Sequence, residues 1–173
     1  MIPPVIGTHA SFHECFTEVN PRQAPSSIGN VRRFVIQPAD ADAAAEDSHL
    51  AALEPLGDTG LFVAEAADPR ALVEQSEGIA WAAPTLGDGG EESYPTGEVS
   101  IRFGAPLDPA DIEAFVRKHA LELRRRNEFV PEQVVVAPTE PRGTWLPDLV
   151  ERLNGEGVVA KAWPNTRSRY ERV

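Results

Sequence analysis

Residues that could perform chemistry are few in this chain, and they are scattered. His9, His13 and Cys15 lie close together near the N-terminus, and imidazole and thiolate groups are common zinc ligands. Their spacing fits no common zinc site, and no fourth ligand is evident. The other histidines, His49 and His119, fall in predicted helices, with His119 at a helix end. The sequence therefore predicts no metal site and no cofactor.

A catalytic constellation is equally hard to find. The sequence contains no glycine-flanked nucleophilic serine, no phosphate-binding glycine loop and no dinucleotide fingerprint. Carboxylates are numerous, but they occur at predicted helix starts and in a loop, where helix capping and solubility account for them. We therefore expect no catalytic residues, and we expect the protein not to be an enzyme.

Three consecutive arginines, Arg124, Arg125 and Arg126, form a basic run that could suggest contact with nucleic acid. On a regular strand, Arg124 and Arg126 would lie on one face and Arg125 on the other, so the cluster would be divided. The run has no interleaved aromatic residues, and the formal net charge of the chain is -11. A solvated, salt-bridged face is the favoured interpretation, with no nucleic-acid partner.

Composition limits the architecture and the compartment. At 173 residues the chain can form one domain or two very small ones. Residues 1–96 carry four Lys/Arg and 15 Asp/Glu, whereas residues 97–173 carry 12 of each. Cys15 is the only cysteine, so no intramolecular disulfide can form. With no signal-peptide pattern and no apolar run of about 18 residues, we expect a cytoplasmic protein without membrane contact, or a secreted one if it belongs to an exported precursor.

The second half of the chain has the clearer pattern. Glu98–Gly104 alternates between apolar and polar residues, which predicts a strand, and Asp108 and Pro109 open an amphipathic helix over 107–120. The remaining predicted elements are strands over 121–129 and 132–138, a helix over 142–157 and a strand over 158–163. This β-α-β-β-α-β order is typical of the ferredoxin-like fold.

The same template fits residues 31–86, with one strand reduced or missing. The predicted elements there are a strand over 31–38, a helix over 45–56, a strand over 60–66, a helix over 68–76 and a strand over 78–84. We predict an α+β protein of two tandem ferredoxin-like units with antiparallel sheets, the first abbreviated; a single interleaved sheet is the alternative. The predicted segments are an irregular arm (1–29), a first unit (30–86), an acidic glycine-rich linker (87–96), a second unit (97–165) and a tail (166–173).

One sheet face of the second unit is a candidate docking surface. Opposite the helices, the alternation places Arg102, Val135, Val159, Lys161 and Trp163. Three of these residues are more apolar than a solvated face favours, so either a partner or the first unit covers this face, or the register is displaced by one residue.

Four segments carry a family resemblance: "TGEVSIRF", "LDPADIEAFVRKHALEL", "VVVAP" and "LVERLNGEGVVAKAWPNT". Together they resemble the propeptides of subtilisin-like serine proteases, particularly those of fervidolysin-type and related bacterial enzymes. Such propeptides typically close on Ala-x-Pro-Asn, as in Ala162–Asn165, and Ala82–Thr85 is a looser copy. The resemblance is clear over residues 97–173 and weak over 31–86.

The resemblance implies a non-catalytic inhibitor and folding chaperone of a subtilisin-like protease, acting in cis as a pro-region or in trans. In that family the propeptide sheet packs on two parallel helices of the protease, and the C-terminal tail occupies the substrate cleft. An acidic residue of the loop between the second and third strands faces the protease helix N-termini, a position that Glu128 and Glu132 match. The tail residues that the resemblance places in the cleft are Tyr170, Glu171, Arg172 and Val173, with Val173 in the first specificity pocket and Tyr170 in the fourth.

Two other function classes stay open at the level of sequence. The first is a tandem ferredoxin-like adaptor that binds another protein without inhibiting a protease. The second is a regulator that binds a small molecule or a metal. No subtilisin-like catalytic motif occurs in the chain itself.

Overall fold

The computed structural model describes residues 27–28, 31–40, 53–87 and 92–168. These residues form a mixed α+β structure with two sheets and three α-helices. None of the described helices is long and apolar enough to cross a membrane. In chain order the elements are β1 (Ser27–Ile28), β2 (Val31–Pro38), β3 (Glu54–Pro55), β4 (Phe62–Ala66), α1 (Pro69–Gln75), β5 (Ile79–Pro84), β6 (Ser93–Phe103), α2 (Pro109–Lys118), β7 (Leu121–Arg126), β8 (Gln133–Pro138), β9 (Thr144–Trp145), α3 (Leu146–Asn154) and β10 (Val159–Ser168), with a single 3-10 turn at Gly57–Thr59.

The second half of the chain builds a four-stranded sheet, which we call sheet A, in the order β10-β6-β8-β7 with every pair antiparallel. Val99, Ile101 and Phe103 of β6 are buried on one face, as their alternation predicts. Helix α2 covers this face, and the Phe103 and Phe115 rings meet edge-on with centroids 5.2 Å apart. The apolar core of sheet A therefore lies on its helix-covered side.

Helix α2 begins where its sequence predicts. The Asp108 carboxylate accepts a hydrogen bond from the Asp111 backbone N–H at 2.9 Å, and Pro109 occupies the first turn. Arg117 and Lys118 lie in the last turn, where positive charge complements the helix dipole, and His119 follows as the C-cap. These local signals are sufficient to set both ends of the helix.

Helix α3 begins later than predicted, because Thr144 and Trp145 form a strand instead of a first helical turn. This strand, β9, pairs parallel with β5 in the other sheet, with Thr144 opposite Trp81. Trp145 packs against the apolar cluster beside α1, apart from the Leu146, Leu149 and Leu153 stripe of α3. The helix predicted over 142–157 places Trp145 on one apolar face with these leucines, and that placement is wrong.

Strands of the first half of the chain, with β9 from the second half, build the other sheet, sheet B, in the order β3-β4-β2-β5-β9, with β1 also paired to β2. Strands β4 and β5 both run antiparallel to β2. The strand predicted to be reduced or missing is the two-residue β3. Most of the helix predicted over 45–56 lies outside the described residues, but its end, Glu54–Pro55, is strand β3.

Strand β2 separates two apolar clusters. Phe34 and Ile36 pack with Val73 of α1 on one side of sheet B. Val35 faces the other way and belongs to a cluster that also contains the core of sheet A. The two sheets therefore share one core, in which leucines of α3 lie with residues of both. The predicted domain boundaries stay predictions.

The described ends of the segment that connects the two sheets are anchored to sheet B. Strand β6 begins at Ser93, inside the predicted linker, and Leu86 forms an isolated bridge with Ser93. Arg33 of β2 donates to Glu92 Oε2 at 2.6 Å, and the Tyr94 hydroxyl donates to the same oxygen at 2.8 Å. The end of the predicted linker is thus structured by contacts with the first sheet.

The last strand is longer than the sequence predicts. The predicted strand over 158–163 stops before Pro164, yet β10 continues through Pro164 to Ser168, with Arg167 opposite Tyr94 of β6. Proline is tolerated because β10 is an edge strand of sheet A in the described structure, so the missing N–H leaves no partner unpaired. A register shift between Pro164 and Thr166 accommodates the proline within the strand. The first residues of the predicted tail therefore belong to the sheet.

Candidate functional site

The face of sheet A opposite α2 and α3 brings four of the five predicted docking residues together. Ser100 on β6 lies between Val135 and Trp163 in register, and Arg102 lies between Gln133 and Lys161. These two rows alternate with the buried Val99, Ile101 and Phe103, so they occupy the other face. We call Arg102, Val135, Lys161 and Trp163, with Ser100 at their centre, the open face.

The fifth docking residue, Val159, lies on the opposite side. It pairs with Phe103 and packs against the helix-covered core. A register shift between Val159 and Lys161 inserts Ala160 as an extra residue and interrupts the alternation. The sequence prediction assumed an unbroken strand, so it placed Val159 on the wrong face.

A second bulge changes the arrangement of the arginine run. The register of β7 shifts between Leu123 and Arg125, so Arg125 lies opposite Val135 and shares a face with Glu122. Arg124 forms an ion pair with Glu122 at 3.2 Å. The predicted division, with Arg125 on the face opposite Arg124, is therefore wrong. The bulge adds Arg125 to the margin of the open face.

The open face carries charged side chains at its edges, and its central residues, Ser100 and Val135, are buried. The Lys161 Nζ atom lies 5.6 Å from the centroid of the Trp163 ring, a cation–π distance. Arg102 Nη2 lies 3.5 Å from Glu132 Oε1. Trp163 is half-buried, while Val135 is only 6% exposed although it belongs to neither of the two apolar clusters. A half-buried tryptophan beside long cationic side chains is typical of a protein-binding surface.

Asn165, from the Ala-x-Pro-Asn motif, anchors β10 to β6. Its Nδ2 donates to Glu98 Oε2 at 3.2 Å, and its Oδ1 accepts from the Ser100 hydroxyl. The Thr96 hydroxyl donates to its backbone carbonyl at 3.4 Å. This motif therefore has a structural role, which is to hold β10 in register with β6.

The loop between β7 and β8 carries the two carboxylates that the resemblance assigns to helix capping. Glu128 is exposed, whereas Glu132 is partly buried and paired with Arg102. Between them lies Phe129, which is 89% exposed. Sequence reasoning missed Phe129, although an aromatic residue in a turn with no apolar neighbour at strand or helix spacing could have been noticed.

Sheet B shows what can cover a face of this kind. In sheet B, Val35 lies between Val63 and Ala83 in register, just as Ser100 lies between Val135 and Trp163 in sheet A. The last strands of the two units, β5 and β10, also share a bulge. The register shift between Ile79 and Trp81 in β5 matches the register shift between Val159 and Lys161 in β10. The Val35 row belongs to the same cluster as the α3 leucines, and α3 contacts β5.

Outside these surfaces, the most notable titratable group is His119. It is buried against the Phe115 ring, with centroids 4.6 Å apart, and its Nε2 lies 3.4 Å from Glu156 Oε1. Burial lowers the pKa of His119, with Lys118 and Arg152 acting in the same direction and Glu156 opposing them. Its position at the end of α2, facing the core, fits a structural residue.

The described clefts carry little chemistry. One, of about 390 Å3, is lined by Arg32, Asp68, Arg70 and Trp145. Its Asp68 caps α1, and Arg70 is paired with Glu74 at 3.1 Å and Asp148 at 2.9 Å. In the described ranges no three His, Cys, Asp or Glu side chains are grouped to hold a metal. The residues at 9, 13 and 15, and the tail residues Tyr170, Glu171, Arg172 and Val173, lie outside the described part.

Comparison with known proteins adds no relative. No family model, no curated protein and no solved structure matches the chain.

Proposed function

We propose that the protein is a non-catalytic inhibitor or folding chaperone of a subtilisin-like serine protease, built from two tandem ferredoxin-like units. The open face docks on helices of the protease, and the C-terminal tail enters the substrate cleft. The strand orders β10-β6-β8-β7 and β5-β2-β4-β3 support the two-unit arrangement, because each matches the other strand for strand.

One observation carries the docking proposal. The Val35 row of sheet B packs in one apolar cluster with α3, whereas Val135 and Trp163 of the matching row of sheet A belong to neither apolar cluster of the described residues. The chain therefore already contains one sheet face that packs in the core with a helix and a second, matching face that lies outside both clusters. A partner that presents helices is the natural complement of that second face.

The route of β10 favours delivery of the tail. Strand β10 pairs with β6 as far as Ser168, and the hydrogen bond between Asn165 and Ser100 anchors it there. A chain leaving an edge strand is already extended, and an extended segment pairs with an enzyme cleft through main-chain hydrogen bonds. In this proposal Tyr170, Glu171, Arg172 and Val173 occupy the cleft.

The test is inhibition of peptide hydrolysis. The full chain is titrated against a purified subtilisin-like protease with a chromogenic peptide substrate, and against a trypsin-like protease as the specificity control. We expect inhibition of the first enzyme alone. Deletion of Tyr170–Val173 and the substitution Trp163→Ala should each weaken it at least tenfold, whereas Arg142→Ala, at an exposed site away from the open face, should not. An inhibition constant unaffected by both changes would remove the proposed mechanism.

A second candidate, a tandem adaptor, gains support from the length of β10. Thr166–Ser168, the first residues of the predicted tail, are paired with β6 in the sheet. An adaptor would use the open face without the tail. Partner capture that Trp163→Ala abolishes and tail deletion leaves unchanged, with no inhibition of any subtilisin-like protease, would favour this candidate.

A further inference from the structure

Strand β7 forms one edge of sheet A. It pairs with β8 along one side, and no strand in the described ranges pairs with its other side. An edge strand presents unpaired backbone N–H and C=O groups, to which another extended chain can add. The tail and the residues that define the open face lie on other strands or beyond them, and Arg125 is the one residue of β7 that borders that face, so the backbone edge of β7 is a separate surface.

The hydrogen bonds that flank β7 identify its outward groups. Thr139 N–H donates to the Ala120 carbonyl at 3.0 Å, and Asn127 N–H donates to the Gln133 carbonyl at 3.0 Å. Ala120 and Asn127, which flank β7, therefore direct these backbone groups towards the neighbouring strand β8 and its ends. Alternation on each side of the bulge then directs the backbone groups of Leu121, Leu123 and Arg126 away from the sheet.

This edge is basic in an acidic protein. Arg124, Arg125 and Arg126 are all exposed, and Arg124 is paired with Glu122. Arg125 and Arg126 form no ion pair with any residue in the described ranges. The net charge of -11 is carried by residues 1–96, so this positive edge is local. A ligand that complements it carries negative charge.

An apolar anchor lies at the end of the same strand. Phe129 is 89% exposed, yet its backbone is fixed, because its N–H and that of Val130 donate to Asn127 Oδ1 at 3.0 and 3.3 Å. This is an Asx-type turn, in which the side chain replaces a backbone acceptor. A preorganised loop that presents an aromatic ring loses little conformational entropy when the ring is buried by a partner.

We propose that β7 is a strand-addition site for an extended acidic segment of a partner protein. The segment pairs with the outward groups of Leu121, Leu123 and Arg126 and carries carboxylates on both of its faces. One carboxylate meets Arg125 on the side of the open face, another meets Arg126 on the helix-covered side, and an apolar residue at the end of the segment covers Phe129. This site is separate from protease inhibition, since it uses neither the tail nor the residues that define the open face, and shares with that face only Arg125 at its margin.

The probe is a fluorescein-labelled octapeptide of sequence Val-Glu-Glu-Val-Val-Glu-Glu-Val, whose adjacent glutamates fall on both faces of a strand, and its binding to the full chain is followed by anisotropy. Two matched peptides serve as controls: one with lysine for glutamate, and one with a central proline, which keeps the charge but cannot pair along its length. We expect saturable binding of the acidic peptide only, with increased hydrogen-exchange protection at the Leu121, Leu123 and Arg126 amides.

Substitutions then distinguish a loss of binding caused by lost charge from one caused by unfolding of the protein. The double variant Arg125→Gln/Arg126→Gln should weaken binding about five- to tenfold, as expected for two exposed ion pairs. Phe129→Ser should weaken it by about the same factor. Arg117→Gln, on the exposed side of α2, should leave it unchanged. These residues are exposed, so thermal unfolding should show each variant to be folded.

Three results would overturn the proposal. The first is equal binding of the proline-containing peptide, because the contact would then be only electrostatic. The second is tighter binding of oligouridylate than of the acidic peptide, which would make the edge a nucleic-acid site. The third is no anisotropy change of the labelled peptide up to a protein concentration of about 1 mM; the arginines would then only protect the edge from aggregation.

Discussion

The indole of Trp81 lies against the backbone of Gly97, so closely that a Cβ on Gly97 would be 2.5 Å from Nε1 and Cε2 of the ring. Trp81 belongs to β5 of sheet B and Gly97 to β6 of sheet A. Trp81 is 3% exposed, and its Nε1 donates to Gln37 Oε1. Gly97 also has a φ of 84°, which disfavours any side chain. At this point the two sheets approach so closely that only glycine fits.

Replacing Gly97 with alanine should destabilise the fold strongly. The positive φ costs about 1–2 kcal/mol for a residue with a Cβ, and the contact with Trp81 adds about 1–3 kcal/mol of overpacking. Gly143→Ala is the matched control, because its φ is 72° but a Cβ there would meet no atom within 4 Å. Urea unfolding should show a clearly larger loss for Gly97→Ala; equal losses would mean that backbone strain alone accounts for both.

Loss of the Trp81 ring should be more costly than loss of the Trp163 ring. Trp81 is buried between the sheets, so Trp81→Ala should lower the free energy of unfolding by about 3–5 kcal/mol. Trp163 is half-buried on the open face, so Trp163→Ala should cost only about 1 kcal/mol. Chemical denaturation of both variants measures the difference. A Trp163→Ala loss as large as that of Trp81→Ala would show that the open face is part of the core.

Asn154 ties the end of α3 to β10. Its Oδ1 accepts from the Ala162 N–H at 2.7 Å, and its Nδ2 donates to the carbonyls of Val150 and Ala162, each at 3.0 Å. Asn154→Ala should cost about 1–3 kcal/mol, because the Ala162 backbone groups lose their side-chain partners. Asn154→Asp keeps the acceptor and loses the donor, so its cost should be intermediate. Thermal unfolding that ranks Asn154→Asp below Asn154→Ala in stability at pH 7 would contradict this account.

Stability should fall as the pH is lowered through the titration range of His119. Because burial lowers its pKa in the folded state, the unfolded chain binds the proton more tightly. The stabilisation is complete above the unfolded pKa of about 6.5, and it is lost as the pH falls towards the lower folded value. His119→Gln should reduce the difference in unfolding midpoint between pH 7.5 and 5.5.

The neighbours of His119 define the control for that experiment. Glu156 accepts from Lys118 at 2.7 Å, and this hydrogen bond lowers the pKa of the Glu156 carboxyl, so its contribution is lost only at more acidic pH. Lys118→Gln removes that partner and a positive charge near His119, so it should raise the His119 pKa, as an NMR titration of the imidazole would show. A His119 pKa at or above that of a free histidine in the wild-type chain would contradict the burial argument.

Elements with strong local signals were predictable. The Asp108 cap and the Pro109 first turn set the start of α2, and the alternation of Val99, Ile101 and Phe103 set the core face of β6. Each signal depends on neighbours within a few residues, which a single sequence displays. The α+β class follows from the same elements.

Elements that depend on distant partners were not predictable in detail. The local sequence of Thr144 and Trp145 is compatible with the first turn of a helix. These residues form a strand because they pair with the edge of β5. The bulges in β7 and β10 reverse the faces of Arg125 and Val159, and nothing in the local composition marks them. A one-residue shift has this effect because side chains alternate with a period of two.

The sequence by itself determined the apolar alternation, the helix caps, the charge asymmetry between the halves and the motif at Ala162–Asn165. The tertiary structure decided the rest: which face of each sheet is covered, how far β10 extends, and that Trp81 requires glycine at position 97. Local patterns report the preferences of short segments, whereas burial depends on surfaces that meet only after the chain has folded. The open face of sheet A follows from that packing, since its counterpart in sheet B has the same register and is covered.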